Sequence, residues 1–563
     1  MGSLRVRVRE PAPEAAAALG RALQLSPSIA QVLLHRGLSD EQAARAFLSP
    51  KLADLSPPHA MAGRSAAAER LAAAVRSGET IVVFGDYDVD GTTSAAILGG
   101  ILELLGGRVA IRLASRFDGG YGLSEAALER VLALRPSVLV TCDCGSSDHA
   151  RLELAAAAGV DAIVVDHHLV PETPLPALAF LNPRRPECGF AFKDLCSAGL
   201  ALSLAAEVRA RLGKTIDLRP WLDLVALGTI ADVVPLLGDN RRLVRAGLAQ
   251  LASPEGRPGI IALRELAKIK PGSSLPASDV AFRIAPRLNA AGRLGDPTLS
   301  LELLRARTLP EARALAARLE QHNDQRKALE AGITAQAIEQ VRALYGEAPD
   351  CAVVAAAEGW HRGVIGITAA RLCDHFGVPA VAIALEGGEG HGSARSFDGF
   401  ALFDAISECA ENLERFGGHQ VASGLSLRSE RVEAFRGALR AVTQGRVTRA
   451  PEHGVVSDVD VVIGDGGYPL PSASELAQLE PLGEGNPEPV FLLRKARVEA
   501  SSVVGQGHLK LRLLAGDRRL SAFGLDMGPR KPEVGAVISA LGPLRPDTWT
   551  GGESVELRLQ DFE

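Results

Sequence analysis

Three clusters of acidic and histidine side chains each follow a short apolar segment in the first half of the chain. They are Asp86, Asp88 and Asp90 after residues 81–85, Asp143 after residues 138–142, and Asp166, His167 and His168 after residues 162–165. Ligands and metals bind beyond the carboxyl ends of parallel strands, so neighbouring strands would bring these side chains around one point. Carboxylates gathered there would repel one another and would be costly to desolvate. Divalent cations would neutralise them, so the pattern indicates a metal-dependent enzyme.

Asp232 adds a further carboxylate to this set. It stands between apolar residues in the segment 227–236, where burial without a partner is costly. Metal ligation explains it, and a buried, hydrogen-bonded aspartate is the alternative. The combined oxygen and nitrogen ligands suit Mn²⁺, or Mg²⁺ with more retained water. Two such cations about 3.5–4 Å apart would hold a phosphate oxygen, activate a water and stabilise the leaving oxygen. A helix cap is the alternative for each single aspartate.

Two basic segments have the side chains needed to hold a phosphodiester. The first, residues 283–293, contains Arg287, Asn289 and Arg293, and arginine binds phosphate through two parallel hydrogen bonds. The second, residues 391–396, contains Ser393 and Arg395 after a glycine-rich turn, and His419 follows two glycines nearby. Each segment alone is typical of ordinary surface or structural residues. Their positions on either side of a predicted long helix favour a cleft between two lobes.

The order of predicted elements indicates an α/β protein with several domains. Strands and helices alternate from residue 76, which predicts a parallel sheet covered on both faces. Helix-forming residues from Leu309 to Leu344 predict a long connecting helix, and a second, smaller α/β unit follows. Short strands with Gly and Pro turns then predict an OB-type β-barrel. The proposed division is a helical region over 1–75, a catalytic domain over 76–305, a linking helix over 306–347, a second domain over 348–447 and a barrel over 448–563.

Composition excludes several classes of protein. The 563 residues carry a formal net charge of −6, so the chain does not coat nucleic acid by charge alone. Seven scattered cysteines do not form a disulfide framework, and the polar N-terminus does not match a secretory signal. No apolar run reaches the roughly 18 residues that span a bilayer. Together these features predict a cytoplasmic protein.

The ordered motifs resemble those of the DHH phosphoesterase superfamily. They are the segment 85–91, Asp143, the Asp-His-His sequence 166–168 and the segment 231–236. Further segments are similar to the RecJ family of bacterial single-stranded-DNA-specific 5′→3′ exonucleases. They are residues 116–123, 285–293, 359–366, 392–396, 416–419 and 482–491. The resemblance covers nearly the whole chain.

This resemblance implies a DHH catalytic domain, a DHHA1 domain and an OB-fold. It implies hydrolysis of single-stranded DNA to mononucleotides in recombination and repair, with Mn²⁺ or Mg²⁺ as a pair of divalent cations. The implied metal ligands are Asp88, Asp90, Asp143, His167 and Asp232, with Asp86, Asp166 and His168 either ligands or their supports. The implied 5′-phosphate contacts are Ser393, Arg395 and His419 with Arg287 or Arg293, and Arg116 would guard the cleft entrance. Single-stranded DNA, a single-strand-binding protein and a helicase are the expected partners of a monomer.

Two residues beside Asp143 depart from the family pattern. Cys144 stands where asparagine is expected and Ser146 where an aliphatic residue is expected, so metal preference or rate could differ. We also expect no further interaction domain after the barrel. Two alternatives stay open at this point. One is a DHH phosphodiesterase that acts on short oligonucleotides or nucleotides, and the other is a non-catalytic DNA-binding relative.

Overall fold

The N-terminal segment is built from one strand and four helices. The structure is a computed structural model that describes residues 4–118, 120–397, 399–447, 457–464, 466–516, 518–547 and 554–563. The first elements are β1 (Val6–Val8), α1 (Pro13–Leu23), α2 (Pro27–His35), α3 (Glu41–Leu48) and α4 (Arg64–Ser77). Asp40 caps α3 by accepting a hydrogen bond from the backbone N–H of Ala43 at 2.8 Å. Strand β1 lies in the region that the sequence pattern predicted as helical, and it was not expected there.

A five-stranded parallel sheet forms the next domain. Its strands are β2 (Thr80–Gly85), β3 (Arg108–Leu113), β4 (Val138–Cys142), β5 (Asp161–Val165) and β6 (Ala179–Leu181), in the spatial order β3-β2-β4-β5-β6. The helices are α5 (Val89–Leu104), α6 (Glu125–Leu132), α7 (His149–Ala157), α8 (Ser197–Arg211), α9 (Leu222–Ala231), α10 (Gly238–Ala252), α11 (Pro258–Leu266), α12 (Ala277–Asp279), α13 (Ala285–Leu294) and α14 (Thr298–Arg305). A π-helical turn, Val280–Ile284, joins α12 to α13. Every residue of β4 is buried, as expected for a parallel strand with helices on both faces.

The long helix α15 (Leu309–Tyr345) connects this domain to a second α/β unit. The elements of that unit are β7 (Val353–Glu358), α16 (Ile365–Phe376), β8 (Ala380–Glu386), β9 (Glu389–Arg395), α17 (Leu402–Ser407), β10 (Arg415–His419), β11 (Ala422–Arg428) and α18 (Val432–Thr443). Its sheet has the order β10-β11-β9-β8-β7, and only the β7–β8 pair is parallel. The hydrogen-bonded register therefore places His419, Ala422 and Arg395 side by side on three neighbouring strands.

The C-terminal domain is a closed five-stranded barrel. Its elements are β12 (Ser457–Val459), β13 (Val461–Gly464), α19 (Ala473–Gln478), β14 (Val490–Val504), β15 (His508–Ala515), β16 (Arg518–Gly524), β17 (Val537–Pro546), β18 (Val555–Arg558) and β19 (Asp561–Phe562). Pairing in the order β14-β15-β16-β18-β17 returns to β14 and closes the barrel. The sequence pattern did not predict β16 or β17. The proposed start of this domain at residue 448 lies outside the described residues.

The barrel shares its core with the N-terminal helices. Apolar side chains of α1–α3, from Ala16 to Leu48, pack in one cluster with side chains from Val461 to Phe562. Strand β1 also pairs in parallel with β12. By contrast, α4 contributes to the core of the parallel-sheet domain through residues such as Leu71. The N-terminal region is therefore packed against two different domains. Within the described residues, no helix has the length and apolarity needed to cross a bilayer.

Candidate active site

The acidic clusters meet because three neighbouring strands end at the same level. Gly85 of β2 pairs with Cys142 of β4, which pairs with Val165 of β5. The ladder continues one residue further, since the Asp143 N–H donates to the Val165 carbonyl at 2.9 Å. The side chains that follow these strands therefore lie at one edge of the sheet, where parallel sheets bind ligands.

His167 lies at the centre of three carboxylates. Its Nε2 is 3.3 Å from Asp143 Oδ1, 3.3 Å from Asp232 Oδ2 and 3.9 Å from Asp90 Oδ2. Among the residues that the structure describes, neither His167 Nε2 nor Asp232 Oδ2 has a hydrogen-bond partner, although both atoms are buried. Buried polar atoms without partners are costly, and a cation between these two atoms would satisfy both. Asp90, His167 and Asp232 form one group spaced for a metal ion, and Asp143, His167 and His168 form another.

Burial and mutual repulsion shift the protonation equilibria of these groups. Desolvation, followed by the charge of Asp88, raises the pKa of Asp90 to about 6. Desolvation and the charge of Asp90 raise the pKa of Asp232 to about 8 and that of Asp143 well above its usual range. Desolvation lowers the pKa of His167 to about 3, so this imidazole is neutral at pH 7 and has a lone pair free to bind a metal. Clustered carboxylates with raised pKa values are typical of functional sites.

Asp166 holds both histidines in place. Its carboxylate accepts hydrogen bonds from the His167 N–H at 2.8 Å, the Ser146 N–H at 3.1 Å and His168 Nδ1 at 2.7 Å. Burial acts to raise the pKa of Asp166, but the hydrogen bond from His168 and the other favourable contacts outweigh it and lower that pKa to about 2. The same bond to Asp166 raises the pKa of His168 to about 9 against its desolvation. Asp166 is therefore an ionised support for the imidazoles.

Asp90 and Asp88 hold different positions at the start of α5. The Asp90 carboxylate accepts hydrogen bonds from the N–H groups of Ser197 at 2.9 Å and Ala198 at 3.0 Å, where α8 begins. Asp88 caps α5, since its Oδ1 accepts from the Gly91 N–H at 2.9 Å. A helix N-terminus carries partial positive charge and therefore stabilises the Asp90 carboxylate. Asp88 and Asp86 belong to neither of the two metal-spaced groups in the described residues.

Three arginines gather beside the acidic cluster from both lobes. Arg293 donates from Nη1 to the Gly363 carbonyl at 3.1 Å, and Arg395 donates from Nη1 to Ser393 Oγ at 2.9 Å. The Arg116 guanidinium lies 4.4 Å from the centre of the Tyr87 ring. Desolvation, with a smaller repulsion from neighbouring arginines, lowers the pKa of Arg293 to about 10. Within the described residues none of the three forms an ion pair with a carboxylate, so together they form a site suited to an anion.

A cleft of about 1250 Å³ leads away from this region between the parallel-sheet domain and the barrel. It is lined by residues that neighbour Asp232, by the segment around the π-helical turn, and by the barrel segment 476–489. Arg293 and Asn289 also line it, so the cleft is continuous with the arginine site.

Comparison with known proteins identifies the family. Three family models match in order: the DHH family N-terminal domain over residues 80–229, the DHHA1 domain over 350–445 and the RecJ OB domain over 459–561. The chain is 34% identical to the single-stranded-DNA-specific exonuclease RecJ of Bacillus subtilis, over 99% of this chain and 70% of that protein. It is 37% identical to the RecJ of Dickeya dadantii, over 80% of this chain and 81% of that protein. The chain belongs to the RecJ family.

Solved RecJ structures share its architecture. The RecJ of Thermus thermophilus in complex with Mn²⁺ matches with a TM-score of 0.81 at 32% identity, covering 99% of this chain and 80% of that one. The complex of the same protein with Mg²⁺ matches with a TM-score of 0.75 at 30% identity, covering 99% and 78%. The predicted fold class, a parallel-sheet DHH domain and a smaller DHHA1 domain joined by a long helix, with an OB barrel, is confirmed.

The structure separates two arginines that the RecJ resemblance offered as alternatives. Arg293 lies with Arg116 and Arg395, whereas the Arg287 guanidinium is 2.6 Å from Glu320 on the long helix α15. His419 lies on β10, level with Arg395, and its pKa is lowered by desolvation and by the positive charge of His168. Arg293 is therefore the member of the pair that faces the other predicted phosphate contacts.

The sequence pattern missed two groups that touch Asp143. Ser197 Oγ donates to Asp143 Oδ1 at 3.0 Å, and Tyr121 OH donates to the Asp143 carbonyl at 2.9 Å. Tyr121 lies in one of the family motifs, but the motif assigned it no role. Nothing in the sequence pattern singled out Ser197. Cys144 is buried among apolar side chains, and Ser146 supports Asp166 through its backbone. Neither departure from the family pattern removes a side chain from the acidic cluster.

Proposed function

We propose that this RecJ-family chain is a metal-dependent 5′→3′ exonuclease that hydrolyses single-stranded DNA to mononucleotides in recombination and repair. The observation that carries the proposal is the pair of unpartnered, buried atoms, His167 Nε2 and Asp232 Oδ2, which face each other beside a site of three arginines. The acidic cluster suits divalent cations, and the arginines suit a terminal phosphate. Their proximity suits cleavage of a phosphodiester next to a strand end.

The proposed cofactor is a pair of Mn²⁺ or Mg²⁺ ions. Asp90, Asp143, His167 and Asp232 are proposed as ligands, with Asp88 as a further one, because the charge of Asp88 acts on the pKa of the other three carboxyls. Bound cations supply charge neutralisation at the scissile phosphate and activation of the attacking water. His168, whose raised pKa keeps it protonated at neutral pH, is proposed to contact the substrate phosphate. Asp86 is proposed as a support or an additional ligand.

The polarity of cleavage is proposed to follow from the arginine site. A 5′-phosphate held by Arg116, Arg293 and Arg395, with Ser393 and His419 beside it, would position the first phosphodiester at the acidic cluster. The rest of the strand would leave along the cleft that Asn289 lines, under the OB barrel. Arg287, which is paired with Glu320, is assigned a structural role rather than a phosphate contact.

A nuclease assay tests this function directly. Single- and double-stranded DNA labelled at the 5′ or the 3′ end is incubated with Mn²⁺, with Mg²⁺ or with EDTA. We expect labelled mononucleotides from the 5′ end of single strands, and only with metal. Asp90→Ala and His167→Ala should abolish turnover while circular dichroism stays unchanged, and wild-type-like activity in either variant would remove the ligand assignment. Asp223→Asn is a matched control for the loss of a buried aspartate outside the site: it loses its ion pair with Arg257 and some stability, but it should keep wild-type turnover.

The phosphate site is tested by Arg395→Ala. The variant should lose at least about tenfold in kcat/KM on 5′-phosphorylated strands and much less on strands with a 5′-hydroxyl, because a charge-assisted contact to the terminal phosphate is removed. Equal loss on both substrates would contradict this role for Arg395.

The two alternatives make different predictions in the same assay. A phosphodiesterase of short oligonucleotides would lose activity as a length series of 5′-labelled strands grows, and a non-catalytic relative would bind DNA without any product. The cleft beside the barrel and the intact acidic cluster support the exonuclease. A cytoplasmic location is supported by the seven free cysteines, all of them buried. A monomeric state, and interaction with a single-strand-binding protein and a helicase, stay predictions.

A further inference from the structure

Phe282 is an aromatic side chain with almost nothing covering it. Its exposure is 80%, the highest among the large apolar side chains of the described residues. It lies in the π-helical turn Val280–Ile284, whose first and last side chains are completely buried. The turn is therefore anchored in the core on both sides of Phe282, and the exposed Phe282 side chain lines the open cleft between the DHH domain and the barrel. Single-turn π-helices occur frequently at functional sites.

Val233 exposes a second apolar side chain to the same cleft. It follows the proposed ligand Asp232, is 65% exposed, and has a φ of +58°. A β-branched residue in the left-handed region is a conformational outlier, and such outliers persist where the surrounding structure holds them for a function. The strained backbone turns this side chain towards the cleft rather than into the adjacent core. Phe282 and Val233 thus expose apolar surface along one wall.

The remaining lining of the cleft is suited to a phosphate backbone. Lys268, Lys270 and Arg293 line it, and within the part of the chain that the structure describes none of these cations forms an ion pair. Of the acidic residues in the lining, Asp279 and Glu488 are already paired with arginines, at 3.0 Å and 2.6 Å. Glu480 and Glu484, in the segment before the barrel strands, form no ion pair within the described residues, so the cations that suit a backbone are those on the DHH side of the cleft. An apolar ring among unpaired cations matches a single-stranded nucleic acid, which offers a flat base and a charged backbone. An apolar peptide would leave the lysines without partners.

We propose that Phe282 stacks on a base of the strand in the cleft, with Val233 contacting the nucleotide nearer the acidic cluster. This inference rests on the proposed exonuclease function and adds a substrate-contacting residue to it. Stacking on a ring is tolerant of sequence, because every base has a flat face. The ring would therefore hold the register of the strand while the 5′ end is cut, without selecting a sequence.

An abasic-site series tests the stacking. The substrates are 5′-phosphorylated single strands that carry one abasic nucleotide, moved one position at a time from the 5′ end. In single-turnover reactions with Mn²⁺, the wild type should show one or two positions where removal of the base slows cleavage by about 5- to 150-fold. Phe282→Ala should cleave the intact strand more slowly than the wild type by a similar factor. An abasic nucleotide at the sensitive positions should then cause no further slowing in this variant. Phe282→Trp should restore both properties.

Controls separate this inference from the proposed function and from misfolding. Leu154→Ala removes another exposed apolar side chain, on α7 outside the cleft, and should cleave like the wild type. A wild-type protein that cleaves no single strand would overturn the proposed function itself. A wild-type protein that cleaves but shows no sensitive position would overturn only the role of Phe282. A Phe282→Ala variant that keeps the full abasic penalty would overturn it as well.

Discussion

Replacement of Asp232 by asparagine should make the metal-free protein more stable while it destroys the metal site. The Asp232 carboxyl is largely buried and its folded-state pKa is raised to about 8 from an ordinary value of 3.8. At pH 7 the unfolded carboxyl is ionised, whereas the folded one keeps its proton. Over about 3 pH units, at about 1.36 kcal/mol per unit, this difference costs the folded protein up to about 4 kcal/mol. The asparagine variant would avoid that cost, and its new amide could donate to His167 Nε2.

The pH dependence has a definite sign. Between pH 3.8 and about 8 the folded state binds more protons at Asp232 than the unfolded state does, so the stability that this group contributes falls as pH rises through that window. The advantage of Asp232→Asn should therefore be near zero at about pH 4 and about 2–4 kcal/mol at pH 7. Mn²⁺ should reverse the order, because only the wild type gains stability from binding it.

Calorimetric unfolding of both proteins in EDTA and in Mn²⁺, from about pH 4 to about pH 8, measures these differences. Asp223→Asn is the control with the opposite expected sign, since its buried carboxylate lies 3.0 Å from Arg257 and loses an ion pair on neutralisation. A metal-free Asp232→Asn variant that is less stable than the wild type at pH 7 would refute the reasoning. So would a stability difference that does not change with pH.

Two further substitutions test how the domains are held around the site. Arg241→Met should lower the free energy of unfolding by about 3–5 kcal/mol in calorimetry, because the buried guanidinium donates to the Phe47 carbonyl and to carbonyls of the barrel domain. Arg245→Met should lower it by less, and equal losses in the two variants would contradict this role of Arg241. Gly363→Ala should lower kcat/KM at least about tenfold, since a Cβ there would lie 1.8 Å from the Arg293 carbonyl oxygen. Gly332→Ala is the control and should stay active, because a Cβ at that position would meet open space. Wild-type activity in Gly363→Ala as well would refute the predicted clash with the Arg293 carbonyl.

The local sequence pattern was sufficient to predict the strands that carry the acidic cluster. Fully apolar strands that end in Asp or His are recognisable because parallel strands are buried on both faces. The long helix was equally clear, since Leu309–Tyr345 has no proline after its first turn and a single glycine. The contacts of Ser197 and Tyr121 with Asp143 were not predictable, because they join residues that are far apart in the chain and that have no distinctive spacing.

The packing of the N-terminal helices was also beyond the sequence pattern. Amphipathic periodicity shows that α1–α3 bury one face, but it does not say which domain covers that face. Strands β16 and β17 were missed because edge and barrel strands alternate weakly and depend on their neighbours. The exposure of Phe282 was not predictable either, since a phenylalanine is ordinarily expected in the core. Each of these features is decided by tertiary contacts.

The shared core of the N-terminal helices and the barrel sets an order for folding during synthesis. The apolar faces between Ala16 and Leu48 are covered by side chains from Val461 onwards. At about 5–20 residues per second, the ribosome needs roughly 20–80 s to make the intervening residues. During that interval the earliest part of the chain has no permanent partner, while the DHH domain can already fold. A nascent chain of this protein should therefore depend on chaperones mainly through its first helices.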